Sequence, residues 1–270
     1  MSLSTHRLAV SIAGKQVVSD LDFAPAGGEF WAILGPNGIG KTTLLKCLAG
    51  LHPPDAGEVR LDGQPLRLLP RRAVARRLGM LQQHTAYAFD ASVLETVLTG
   101  RHPHLSHWAR EGPRDIALAR EALADVDLEG LEGRSVTGLS GGEARRVACA
   151  ALLVQQTDVM LLDEPTNHLD LRHQLALMAL LRARVRDAGR SAVCAMHEIN
   201  LAARYCSHVL MLFGDGQWCA GRCGDMLSET ALERLYGCPV RAVQTEDGTR
   251  FLPAGGASPG DASPDSRNAS

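Results

Sequence analysis

Short, uninterrupted apolar runs alternate with longer amphipathic stretches along this chain, and that alternation indicates its architecture. FWAIL (Phe30–Leu34), VMLL (Val159–Leu162) and SAVCAM (Ser191–Met196) are bounded by turn residues and read as strands buried on both faces. Between the last two, LALMALLRARVRD has helical spacing. Strands alternating with helices predict a parallel sheet covered on both sides. Near the N-terminus RLAVSI and KQVV flank Ala13-Gly14 as strand-like runs, and EVRLDGQPL carries the Asp-Gly hairpin signal. From Ala86 to about Val154 the pattern turns mainly helical, with turn signals at Gly112-Pro113 and Gly133. HVLMLFGDGQWCAG predicts a second hairpin, turning at Gly214-Asp215-Gly216. The tail from Pro253 lacks the apolar residues to form a core and is predicted to be disordered.

Composition narrows the class. A chain of 270 residues, 45% hydrophobic, suits one large core or two joined subdomains. A net charge of -2 provides no long-range attraction to nucleic acid or anionic lipid, and the basic stretch Arg71 to Arg77 reads as a solvated helix face or a membrane-proximal patch. The longest apolar run, Val147 to Val154, is far too short to span a bilayer. The opening MSLSTHRLAVSIAGKQ has a minimal apolar stretch and no convincing cleavage site, so it is not read as a signal peptide. Seven scattered cysteines, an odd number, argue against a disulfide framework and for reduced thiols; Cys219 and Cys223 have no matching second pair for zinc.

Two stretches have the shape of a phosphate cradle. GPNGIGKTT (Gly35, Pro36, Asn37, Gly38, Ile39, Gly40, Lys41, Thr42, Thr43) fits G-x-x-x-x-G-K-S/T between the FWAIL strand and a helical run. Its glycines let backbone N–H groups turn onto phosphate oxygens, and the following helix N-terminus adds positive potential. Lys41 suits the β- and γ-phosphates, and Thr42 suits magnesium. The second stretch is TGLSGGEARRVACAALL, with the glycine pair Gly141-Gly142 at the mouth of a helix. Ser140 and Glu143 there also fit a capping box, which shapes the same helix end. VMLLDEPTNHLD brings Asp163 to a strand end as a magnesium ligand, with Glu164 on the other side of the strand, free to polarise a water.

The order GPNGIGKTT, Gln83, LSGGE, VMLLDEPTNHLD and His197 after a strand resembles the ATPase subunits of ABC transporters, from about His6 to Gly237. The resemblance implies an α/β fold: a RecA-like P-loop NTPase core with a parallel sheet, an N-terminal antiparallel β subdomain and an inserted α-helical signature subdomain. It implies one ABC ATPase domain over 1–252, with the core at 1–83 and 156–252, the helical subdomain at about 84–155, and a tail over 253–270. By likeness, Gln83 is the Q-loop glutamine that senses metal and phosphate, Asn167 to Asp170 form the D-loop, and His197 is the switch histidine. Catalysis then falls to Glu164, His197 and Gln83, and magnesium to Thr42, Gln83 and Asp163. ATP is held by the glycine loop and, across a head-to-tail homodimer, by Ser140, Gly141, Gly142 and Asp170 of the other copy.

Two positions depart from the family pattern. Glu143 stands where Gln is usual, and Ile12-Ala13 occupy the place of an adenine-stacking aromatic, so apolar contact replaces stacking there. VLETVLTGRHPHLSHW, LRHQ after the D-loop and LERLYGCPV resemble the type II importer branch for iron-siderophore, haem and cobalamin complexes. That likeness implies two transmembrane permease subunits, a periplasmic or surface binding protein reached through them, and a peripheral place on the cytoplasmic face of the inner membrane. His102, His104 and His107 invite a metal reading, but His102 and His104 flank Pro103 without a shared helical face, and the likeness sets this segment beside the permease rather than around a metal. A DNA-maintenance ATPase would need sustained heptads between Thr43 and Ser140, and a translation factor of this class generally fuses two cassettes; neither feature is present. A small-molecule kinase would leave LSGGE and the D-loop without a task. No nucleic-acid partner is expected.

Overall fold

The computed structural model describes residues 2–83, 87, 90–106 and 109–254. Pro253, where the sequence predicts the tail to begin, is instead paired with Val240 in the last strand, whose ladder carries order that far; the rest of the tail, after 254, and His107 lie outside the described residues. The described chain runs β1 (Leu3–Ile12), β2 (Lys15–Leu21), β3 (Phe30–Leu34), α1 (Lys41–Leu48), β4 (Ala56–Leu61), β5 (Gln64–Pro65), α2 (Arg71–Ala75), β6 (Leu78–Leu81), α3 (Val93–Leu98), α4 (Pro113–Asp125), α5 (Gly141–Val154), β7 (Val159–Asp163), α6 (Leu171–Asp187), β8 (Ser191–Ala195), α7 (Ile199–Tyr205), β9 (His208–Leu212), β10 (Trp218–Arg222), α8 (Cys223–Met226), α9 (Glu229–Tyr236), β11 (Val240–Thr245) and β12 (Gly248–Pro253).

The three apolar runs become β3, β7 and β8, with every residue buried. They sit inside a six-stranded sheet of order β10-β9-β3-β8-β7-β6, parallel except for the β9–β10 hairpin. Parallel strands need cover on both faces, which is why these runs show no polar alternation. A second sheet, β2-β1-β4-β5, is antiparallel and contains the strand pair around Ala13-Gly14 and the predicted Asp-Gly hairpin. Asp62 and Gly63 turn the second of these with φ of 50° and 75°, as a tight hairpin turn requires.

Side-chain alternation divides the interior in two. Trp31, Ile33, Val159, Leu161, Val193 and Ala195 face a core shared with the antiparallel sheet and α1, through Leu44, Leu45 and Leu48. Phe30, Ala32, Leu34, Met160, Leu162, Ala192 and Cys194 face the opposite core, which takes in α3, α4, α5 and α6. Each fully buried aliphatic side chain contributes about 1.5–3 kcal/mol, so the sheet is locked in register from both sides. The cross-strand register aligns Ile33, Ala195 and Asp163, so β3, β8 and β7 end together. Everything that leaves those three strand ends is gathered on one edge of the sheet, the edge where open α/β sheets bind their ligands.

The helices between β6 and β7 form a separate layer: α3, α4 and α5 pack on one another, and Ser92 caps α3 with a capping box shared with Glu95. Among the described residues no helix is long and apolar enough to cross a membrane. All seven cysteines are free, and burial pushes the thiols of Cys149, Cys194, Cys206 and Cys223 up.

Candidate functional site

The glycine loop fills the connection from β3 to α1. Gly40, with φ of 106°, is the last residue before the helix, and a Cβ there would meet Val17 Cγ2 at 2.4 Å. Only glycine satisfies both demands. No side chain caps α1 and its first turn carries no acidic residue, so its free N–H groups are available to an anion. Pro36 O accepts from Ile39 N at 3.4 Å, closing the tip around Asn37 and Gly38. Lys41 folds back: its Nζ donates to Gly35 O at 2.7 Å and Pro36 O at 3.1 Å. Burial lowers the Lys41 pKa to about 8, against the attraction of Glu164 and Asp163.

Alternation along β7 puts Asp163 on the same face as Val159 and Leu161, the face covered by α1. Thr42 Oγ1 donates to Asp163 Oδ1 at 3.1 Å. Asp163 Oδ2 is buried with no hydrogen-bond partner among the described residues, and burial raises this carboxyl above its ordinary range. A buried orphan oxygen beside a threonine hydroxyl is a donor set that suits a hard divalent cation.

Glu164 does not take its direction from strand alternation, contrary to what its place after Asp163 in the sequence predicts. The strand ends at Asp163, and Glu164 has φ of 49° in the left-handed region. Such a backbone costs about 1–3 kcal/mol in a residue with a side chain; the Glu164 N–H to Ala195 O bond at 2.9 Å helps hold it. The turned carboxylate receives His197 Nε2 at 2.5 Å, Gln83 Nε2 at 2.9 Å and the Asn167 side-chain amide. Burial pushes this carboxyl up, but the bonds from His197, Gln83 and Asn167 outweigh it and the net pKa is lowered.

His197 Nδ1 lies 3.3 Å from Lys41 Nζ. An ammonium has only protons to offer, so Nδ1 accepts and the Nε2 proton faces Glu164. Gln83, just beyond β6, thus meets Glu164 rather than the Thr42–Asp163 pair.

A pocket of about 460 Å³ contains Ile12, Asn37 to Thr43, Gln83, Glu164, Asn167 and His197. Ile12 is 42% exposed at its edge. Ser140, Gly141, Gly142 and Asp170 line a different pocket of about 480 Å³, together with Arg146 and His168. The two pockets share no residue.

Ser140 is the N-cap of α5 in a full capping box with Glu143, and Arg134 Nη1 donates to Glu143 Oε1 at 2.9 Å. Asp170 caps α6, accepting from His173 N at 2.9 Å and His173 Nδ1 at 2.8 Å. His102 pairs with Glu111 at 3.4 Å and His104 Nε2 meets Gln155 O at 2.8 Å, so these two point to separate partners.

Sequence reasoning missed the amide of Asn167 on Glu164, and Arg145 behind both. The signal for Arg145 was its place at i, i+4, i+7 with buried Cys149 and Leu152 of α5, an arginine on an apolar stripe.

The ABC transporter family matches residues 18–167. The hemin import ATP-binding protein HmuV of Escherichia coli O157:H7 is 37% identical over 90% of this chain and 94% of its own. The ferric enterobactin transport ATP-binding protein FepC of Escherichia coli K12 is 36% identical over 87% of each chain. Among solved structures, one described as a metal-chelate type ABC transporter in an inward-facing conformation superposes with a TM-score of 0.81, at 28% identity, over 94% of this chain and 97% of that one. ATP binding goes with the family, whose ATPases dimerise and pair with permease subunits. The chain belongs to the ABC transporter family and is an ABC-type ATPase.

Proposed function

We propose that this chain is the ATP-hydrolysing subunit of an importer for a metal chelate, within the haem, ferric siderophore and cobalamin class. The observation that carries the mechanism is the pair of phosphate cradles in two pockets with no common residue. One copy cannot close both around a single nucleotide. A second copy, placed head to tail, sets Ser140, Gly141, Gly142 and Asp170 of one against the glycine loop of the other, making two composite sites.

Within each site the loop N–H groups and Lys41 bind the phosphates, and Lys41 exchanges the carbonyls of Gly35 and Pro36 for phosphate oxygens. Thr42, Asp163 and Gln83 would hold magnesium, and the ion would supply charge neutralisation on the phosphates. Glu164 orients the water and takes its proton, and His197 keeps the carboxylate ionised and aimed until the γ-phosphate competes for it. Ile12 gives the base an apolar contact. Positioning and electrostatics carry most of the rate in such a site.

The cargo class rests on similarity to HmuV and FepC and on the metal-chelate transporter structure. We assign the core to 1–83 and 156–252, the signature subdomain to about 84–155, and the working location to the cytoplasmic face of the inner membrane, through two permease subunits that receive cargo from a binding protein. Gentle solubilisation of native membranes and capture through an N-terminal tag tests this. A many-spanning permease in one-to-one ratio, with a binding protein whose ligand absorbs as haem, cobalamin or a ferric siderophore, is expected. Recovery of DNA or ribosomes without a membrane subunit would overturn it.

A further inference from the structure

Arg145 is only 3% exposed, on the second turn of α5, yet among the described residues it has no hydrogen bond to a carboxylate. A guanidinium has five N–H donors in a rigid plane. Here each meets a different main-chain carbonyl. Nε donates to Pro165 O at 3.2 Å. Nη1 donates to Gln82 O and, at 3.3 Å, to Gln83 O. Nη2 donates to Asp163 O and, at 2.7 Å, to Glu164 O. Two of these carbonyls leave β6 and three leave β7, so one side chain grips both segments that carry the Gln83–Glu164 contact.

We propose that Arg145 is a positioning residue for hydrolysis: it fastens the main chain of Gln83 and Glu164 to α5, so that the reactive carboxylate and its amide partner move with that helix as one piece. A buried cation costs several kcal/mol unless its donors are all met, and five carbonyls meet them without neutralising Glu164 or Asp163. The grip also bears on the left-handed turn at Glu164, whose carbonyl takes the Asn167 N–H at 3.2 Å as well. No other side-chain type can do this: lysine offers three protons from one atom, and glutamine two. Tyr87 adds a second tie between the same regions, its hydroxyl donating to Ala144 O at 3.3 Å. The N-terminus of α5 carries Ser140, Gly141 and Gly142, so a shift of that end reaches Glu164 through Arg145. The kinetic consequence rests on the ATPase reading above; the structural consequence does not.

The full chain, with Arg145→Gln and Arg145→Lys beside the wild type, tests the assignment by two independent readouts. Without nucleotide, amide hydrogen exchange over residues 163–169 is expected to speed by about tenfold or more in Arg145→Gln, with residues 35–43 unchanged. With ATP and magnesium, kcat is expected to fall by about 10- to 100-fold while KM for ATP holds within about threefold, since misplaced groups lose rate before binding. Arg145→Lys should fall between the two. Unchanged exchange over 163–169 would overturn the proposal, as would a general rise that includes 35–43 with KM and kcat failing together, the signature of a plain packing residue. If the wild type itself hydrolysed no ATP, the ATPase reading would fail while the exchange data still decided the role of Arg145.

Discussion

His197 bridges Lys41 and Glu164: its Nδ1 lies 3.3 Å from the Lys41 ammonium and its Nε2 2.5 Å from a Glu164 oxygen. The ring therefore connects the residue suited to the phosphates with the residue suited to the water. Removing it takes away one of three donors that lower the Glu164 pKa. His197→Ala should raise that pKa, and the acid limb of the pH profile of kcat/KM should move to higher pH, alongside a fall in rate. An acid limb that stays put would show that the ring does not set the ionisation of Glu164.

Lys41 gives a stability prediction whose sign follows from its burial. Its pKa falls from 10.5 in the unfolded chain to about 8 in the fold. Below pH 8 it is charged in both states and the burial cost is present in full. As pH rises from 8 to 10.5 the folded protein loses the proton first and gains stability. The stability of Lys41→Met relative to wild type should therefore be highest below pH 8 and decline as pH rises to 10.5, while ATP binding weakens by about 10- to 100-fold. Thermal melts and nucleotide titration of the same sample check both halves.

Gly40→Ala should fail for a steric reason. Its new methyl would sit 2.4 Å from Val17 Cγ2 and 2.9 Å from Val17 Cγ1, at a φ of 106°. A loss of about 2–4 kcal/mol of stability is expected, with ATP binding lost. A denaturant melt of wild-type midpoint would contradict the close packing of β2 against the loop.

Ser140→Ala separates the two cradles. It removes the cap of α5, at about 1 kcal/mol, and leaves the pocket around Lys41 untouched. ATP affinity of the single chain should hold within about twofold while hydrolysis falls about tenfold or more. Equal loss of both would place Ser140 in the same pocket as Lys41.

Much of this was legible in the residues because glycine, proline and unbroken apolar runs act locally. FWAIL, VMLL and SAVCAM became β3, β7 and β8 since burial on both faces leaves no other reading. Asp62-Gly63 and Gly214-Asp215-Gly216 turned where their backbone freedom predicted. The strand β6 and the closing hairpin β11–β12 were less visible: LGML is four residues long, and VRAVQT is largely exposed. What could not be read was convergence. The amide of Asn167, the left-handed turn at Glu164 and the five-carbonyl grip of Arg145 arise only when β6, β7 and α5 meet, and no spacing along the chain encodes that meeting.

In the proposed mechanism the two cradles act on one nucleotide only across two copies of the chain. Glu164→Gln tests it most directly, since that change should slow hydrolysis by about 100-fold or more and leave the binding groups in place. Its mass in solution should be that of one chain without nucleotide and of two chains with ATP and magnesium, with one ATP per chain. Adding Ser140→Ala should abolish the doubling. A Glu164→Gln protein that holds ATP as a single chain, at concentrations far above its affinity for the nucleotide, would contradict the account.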